Sequence, residues 1–185
     1  KGFTLGDLQY PADIFTKWSA EEKKAIGIHE IVFDDSNKKN EKWYTNTNHS
    51  FAYDASAETV TASYGSATAK PHADTLFTAQ DEIDRKGTEG EVATRGLKFQ
   101  HKKIIKQQAS GLLEPTDWYN HKALDDATFT IPANITTYRA SIRTKSNTME
   151  TAIDNVSDVD ELAALYVYND DDPPTRPLGE FPEAV

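Results

Sequence analysis

The chain has 185 residues, a formal net charge of −10 and no cysteine. That length suits one domain or two small ones with a core of their own, and the missing thiols exclude disulfides, thiolate metal sites and a cysteine nucleophile. Free nucleic acid is not an expected partner of so acidic a chain, and no apolar run nears the roughly 20 residues that cross a bilayer, so a soluble, non-membrane protein is expected.

The opening stretch "LGDLQYPADIFTKW" has turn chemistry, and Pro11 argues against a central strand. In "SAEEKKAIGI" the pair Ser19 and Glu22 forms a capping box, and Gly27 stops the short helix it starts. Three β-type runs follow. Ile28, Ile31, Val32 and Phe33 make the first, and residues 42–53 the second, rich in aromatics and Thr. In the third, Val60, Ala62 and Tyr64 alternate with Thr and Ser. Together 28–68 reads as a small three-stranded antiparallel meander, with a boundary near Lys70 and Pro71.

From Asp74 the pattern turns helical through Leu76, Phe77, Gln80 and Ile83, until the glycines of "KGTEG" break it. A main helix is expected over about 91–113. Its apolar stripe holds Leu97, His101, Ile104, Ile105, Gln108 and Leu112, opposite Arg95, Lys98, Lys102 and Lys106. Pro115 ends it, and Thr116 or Asp117 then caps the turn. Pro132 opens the last long helix, whose stripe of Ile135, Tyr138, Ile142, Met149, Ile153 and Val156 is as narrow as a coiled-coil seam. The two stripes are best buried against each other, as a helical hairpin. "SDVDELAALY" starts one more helix, with Ser157 as N-cap and Asp160 at its third position.

The expected architecture is therefore α+β. Residues 1–70 hold a short helix and the β region, 71–168 the helical hairpin, and 169–185 an extended acidic, proline-rich tail. From Asp154 onward there are nine acids and one base, Arg176. Such a terminus suits docking on another surface, and Asp170, Asp171, Asp172, Pro173, Pro174 and Phe181 are its candidate contact residues.

Chemistry is sparse. No two of the histidines stand at i+3 or i+4, so no helical metal motif is present, and His101 reads as a hydrogen-bonded core residue. "KGTEGE" lacks the Lys-Ser/Thr ending of a phosphate loop, and there is no G-x-S-x-G elbow. The chain reads as a non-enzyme without a cofactor. Arg139 and Arg143 share one helical face, where like charges repel, so they should reach acids elsewhere, with Asp117, Asp160 and Glu161 as candidates. An anionic ligand between the two is the alternative. Trp118, beside Tyr119, is expected to fold back as a plug across the hairpin end. Trp43 and Tyr44 would serve a glycan-binding module if the strand bearing them exposes its aromatics.

The segment "TDWYNHKALDDATFTIPANITTYRASIRTKSNTMETAI" resembles the C-terminal module of small tail proteins of tailed bacteriophages, among them tail-fibre assembly and tail assembly chaperone-like proteins. The pattern is carried by Leu113, Thr116, Asp117, Trp118, Tyr138, Arg139 and Arg143, and "YPADIFTKWSAEEKKAIGIHEIVFDD" resembles the family's opening. The resemblance implies a structural component of a phage tail: a baseplate, tail-fibre or fibre-adaptor protein. Its partners would be fibre, baseplate or tube subunits, or further copies of itself, and its place would be the virion, after assembly in the host cytoplasm. An assembly chaperone absent from the mature particle is the alternative. The motif residues are structural signatures, and the resemblance implies no catalytic ones.

Overall fold

The computed structural model describes residues 2–184, as a mixed α+β chain in two compact units, Lys1–Thr68 and Ala69–Val185. The first unit opens with an antiparallel hairpin of β1 (Phe3–Leu5) and β2 (Leu8–Tyr10), which ends where Pro11 removes the next ladder donor. Two short helices follow, α1 (Ile14–Lys17) and α2 (Ala20–Lys24). The capping box of α2 is formed: the Glu22 amide donates to Ser19 Oγ and the Ser19 amide to Glu22 Oε2.

Then come β3 (Glu30–Asp34), β4 (Tyr44–Thr45), β5 (His49–Asp54) and β6 (Thr59–Tyr64), with β7 (Thr68–Ala69) pairing β4. The main sheet is not the expected meander. Its order is β3-β6-β5, with β6 central, antiparallel to β5 but parallel to β3. The run expected to be one strand over 42–53 is split, because Asn46 turns back. Its side chain accepts from the Lys39 amide at 2.9 Å and donates to the Lys39 carbonyl at 2.8 Å. That closed loop takes the chain away from β3 before it can hairpin, and β3 is paired later, by the strand returning as β6.

The second unit starts with β8 (Thr75–Leu76), α3 (Ala79–Ile83) and β9 (Val92–Thr94), where β8 and β9 pair antiparallel. Leu76 is thus a strand residue, and the helix expected from Asp74 begins only after the Thr78 capping box. The main helix, α4 (Leu97–Leu113), also starts later than expected, because 92–94 belong to the sheet. Gly96 stands at its N-cap, where a Cβ would run into the Ala73 carbonyl. Only this residue lets the 71–73 backbone come close enough for the Pro71 and His72 carbonyls to accept from the amides of Leu97 and Lys98.

A 3₁₀ turn (Glu114–Thr116) leads into α5 (Asp117–Asp125), followed by α6 (Ala133–Asn155) and α7 (Val159–Ala164). All six apolar residues expected on the α6 seam are buried, and α4 packs along α6. On α4 the buried line is Leu97, His101, Ile105 and Ala109, whereas Ile104 and Gln108 face outward. Spacing of four keeps that line in register with the neighbouring helix. The N-cap of α7 is Asp158 rather than Ser157: Asp158 Oδ1 accepts from the Glu161 amide at 2.8 Å. Ser157 instead donates twice to Glu161 Oε2.

The last segment is not an extended tail. The Leu178 amide donates to the Leu165 carbonyl at 3.0 Å, and the Leu178 side chain is only 2% exposed. Phe181 packs on a cluster of Ala109, Tyr138 and Ile142. Two apolar side chains in a polar stretch are enough to fold it back, since each gains burial that an isolated extended chain forgoes.

Candidate functional site

The signature residues converge where α4 ends. A helix leaves its last carbonyls without intrahelical partners, and Pro115 supplies no amide to them. Two groups on α6 take over that role. Tyr138 Oη donates to the Leu112 carbonyl at 3.3 Å, and Arg139 Nη1 to the Leu113 carbonyl at 2.9 Å. The same Nη1 reaches Thr116 Oγ1 at 2.6 Å, while Nη2 pairs with Asp117 Oδ1 at 2.7 Å. Thr116 Oγ1 itself donates to the Leu113 carbonyl at 2.8 Å. The Arg139 side chain is 7% exposed and Asp117 51%, so a buried guanidinium meets a half-hydrated carboxylate. A cation here also suits the negative end of α4.

Trp118 does not plug this end. It is 50% exposed and stacks on Tyr119 with ring centroids 3.8 Å apart, with Phe129 beside both. The chain continues as helix α5 instead of turning back, which points Trp118 away from the seam. Tyr138, Ile142 and Ala109 fill that seam, with Leu112, Leu113 and Phe181 against them. Arg143 parts company with Arg139 as well. It is exposed and, among the described residues, pairs with no acid.

Arg143 lies in a groove of about 380 Å³ between α4 and α6, with Lys106, Ser110, Asp117 and Asn147. Lys106 Nζ is held by Glu150 at 3.2 Å, and Ser146 Oγ also donates to Glu150. The groove can therefore take an acid: its own carboxylates are matched, and a guanidinium stands open with polar groups beside it.

His101 is buried on α4 with its Nδ1 2.7 Å from Tyr166 Oη. Burial pushes the Tyr166 phenol up to about 12. Trp43 is buried rather than displayed, so the glycan-binding face expected around it does not exist in that form. Of the tail residues, Asp170 to Pro174 are exposed, whereas Phe181 is spent on the chain's own core.

A surface that the sequence did not reveal lies on the first unit. The register aligns Ile31 and Phe33 of β3, Val60, Ala62 and Tyr64 of β6, and Tyr53, Phe51 and His49 of β5 on one face. Ala62 at the centre is fully buried, while Phe33 and Phe51 over it are each 64% exposed. His49 lies against Tyr64 at 4.1 Å and Phe33 at 5.6 Å between ring centroids, and its Nε2 is buried without a hydrogen-bond partner. The alternation of β6 was visible in the sequence. Its partners were not, and they decide which aromatics share its face.

Among the described residues, no three His, Asp or Glu side chains gather as a metal-ligand set, and no helix is long and apolar enough to cross a membrane. What these surfaces offer is binding, through an aromatic sheet face and an arginine-bearing groove. No family model, curated protein or solved structure matches this chain.

Proposed function

We propose that this chain is a non-enzymatic structural component of a bacteriophage tail, a baseplate, tail-fibre or fibre-adaptor protein that docks on neighbouring virion subunits. The observation that carries the docking part is the aromatic sheet face of the first unit. Ile31, Phe33, Phe51 and Tyr53 all stand at least 46% exposed around a buried Ala62. A contiguous apolar patch of this kind on a folded chain marks a protein contact. Assignment to a phage tail is supported by the resemblance of the Thr116–Arg143 signature and of the opening segment. The Arg139 clasp gives most of that signature a structural reason, since Thr116, Asp117, Tyr138 and Arg139 serve the joint between α4 and α6, while Arg143 faces the groove beside it.

Mass spectrometry of purified particles of the encoding phage tests the assignment. The expected result is this chain in a fixed, repeated copy number, cross-linked through β3 or β5 to a fibre, baseplate or tube subunit. Absence from the particle, with co-purification alongside an unassembled fibre subunit, would replace the reading with that of an assembly chaperone.

A further inference from the structure

We infer that the groove between α4 and α6 receives the Asp170–Pro174 loop of a second copy of this chain. The charges of the groove lead there. Asp117 is matched by Arg139 at 2.7 Å and Glu150 by Lys106 at 3.2 Å. Arg143 is the cation left over. On the adjoining surface of α4, Lys103 likewise has no ion pair among the described residues, and it lines a second hollow of about 400 Å³ with Phe99 and Gln107. The two hollows share Lys106 and Ser110, so they form one trough along α4, cationic with an aromatic ring in its second half.

The loop carries the complement. Asn169 closes it: its amide donates to the Thr175 carbonyl at 2.8 Å, and its Oδ1 accepts from the Thr175 amide at 2.7 Å. Asp170, Asp171, Asp172, Pro173 and Pro174 are all exposed on it. Asp171 accepts from Asn169 Nδ2, and Asp170 and Asp172 have no partner among the described residues. A loop fixed before docking loses little conformational freedom on binding. Its acids suit Arg143 and Lys103, a guanidinium taking a carboxylate bidentately, and its prolines suit the exposed part of the Phe99 ring, over one face of which Arg95 lies at 4.4 Å. An unrelated acidic segment would satisfy the trough but leave the loop's own charges and prolines without a role.

Loop and trough are different surfaces of one chain, so the contact is either exchanged reciprocally in a two-fold dimer or repeated from copy to copy, closing into a ring or running on. It concerns the isolated chain and holds or fails whether or not that chain is a virion component. Sedimentation velocity of the full chain, at submillimolar concentration, tests it at about 0.1 M and about 1 M salt, where the screening length drops from roughly 10 Å to 3 Å. Concentration-dependent association is expected at the lower salt and at least about tenfold weaker association at the higher. The trough variant K103E/R143E and the loop variant D170K/D171K/D172K should each be monomeric alone, with the circular dichroism of the parent. Mixed, they should associate again, because each supplies the charges the other lost. A parent chain that stays monomeric at low salt overturns the inference. So does association that survives the loop variant, or a mixture that stays monomeric.

Discussion

Arg139 serves three acceptors at once; without it Thr116 Oγ1 and Asp117 lose a charged donor, while the Leu113 carbonyl keeps the Thr116 hydroxyl. Removing a buried donor strands its acceptors, so Arg139→Ala should cost about 3 kcal/mol in urea unfolding at neutral pH. Asp117 is half-exposed, and Asp117→Asn should cost about 1 kcal/mol or less. Equal losses would mean that the ion pair, and not the clasp on the helix end, does the stabilising. Arg139→Lys should recover less than half of the loss, since a single ammonium cannot span acceptors that a planar fork reaches together. Trp118 reverses the usual weight of tryptophan. Exposed and stacked on Tyr119, it should tolerate alanine within about 1 kcal/mol, whereas Tyr138→Ala should cost about 3 to 5 kcal/mol. The Asp117–Arg139 pair was legible in the sequence because both residues flank one turn and one helix start. The outward direction of Trp118 was not, because it depends on α5 continuing as helix, and nothing in Thr-Asp-Trp separates a cap from a turn.

Elements of this chain are started by carboxylates, and that makes its stability sensitive to acid. The Gly96 amide and then Arg95 hold Asp74 below the usual carboxylate range, the Thr78 amide and hydroxyl do so for Asp81, and the Ser157 amide and hydroxyl for Glu161. A carboxyl whose folded value lies below its unfolded one, 3.8 for Asp and 4.5 for Glu, stabilises fully above that unfolded value. The contribution is lost as pH falls through the folded value. Melting temperature should therefore be level near neutrality and decline below about pH 5, and Asp81→Asn with Glu161→Gln should flatten the decline. A profile unchanged by the pair would remove the caps as its cause. At the alkaline end the sign is opposite. Tyr166 ionises at about 12 rather than 10.0, so its contribution is complete below 10 and fades between those values, which absorbance titration at high pH can follow. Helices were the legible elements, since a periodic stripe and its caps lie within one stretch of chain, as in α6. The order β3-β6-β5 was hidden because strand partners are chosen across distant segments, and here the Asn46 loop decides them.

Burial across the molecule is lopsided. In the described first unit the buried apolar residues are Ile14, Trp43 and Ala62, while the second unit buries Leu97, Ile105, Ile135, Ile142, Met149, Ile153, Leu162, Leu178 and others. Apolar area removed from water is the main favourable term in folding, and a small unit with few such residues sits near the margin. The two units should therefore differ in local stability even if the chain unfolds in one visible transition. Hydrogen exchange on the isolated chain should find the amides of α6 among the slowest and those of β3 and β5 orders of magnitude faster. A fragment of residues 69–185 should keep the helical spectrum and unfold cooperatively by itself. Covering the Phe33–Phe51 face with its proper neighbour should then slow exchange in β3, β5 and β6 selectively, because a partner that binds only the folded sheet stabilises it by mass action. If β3 and β5 exchange as slowly as α6 in the isolated chain, the sheet is already stable alone. Its exposed aromatics would then need a reason other than a missing neighbour.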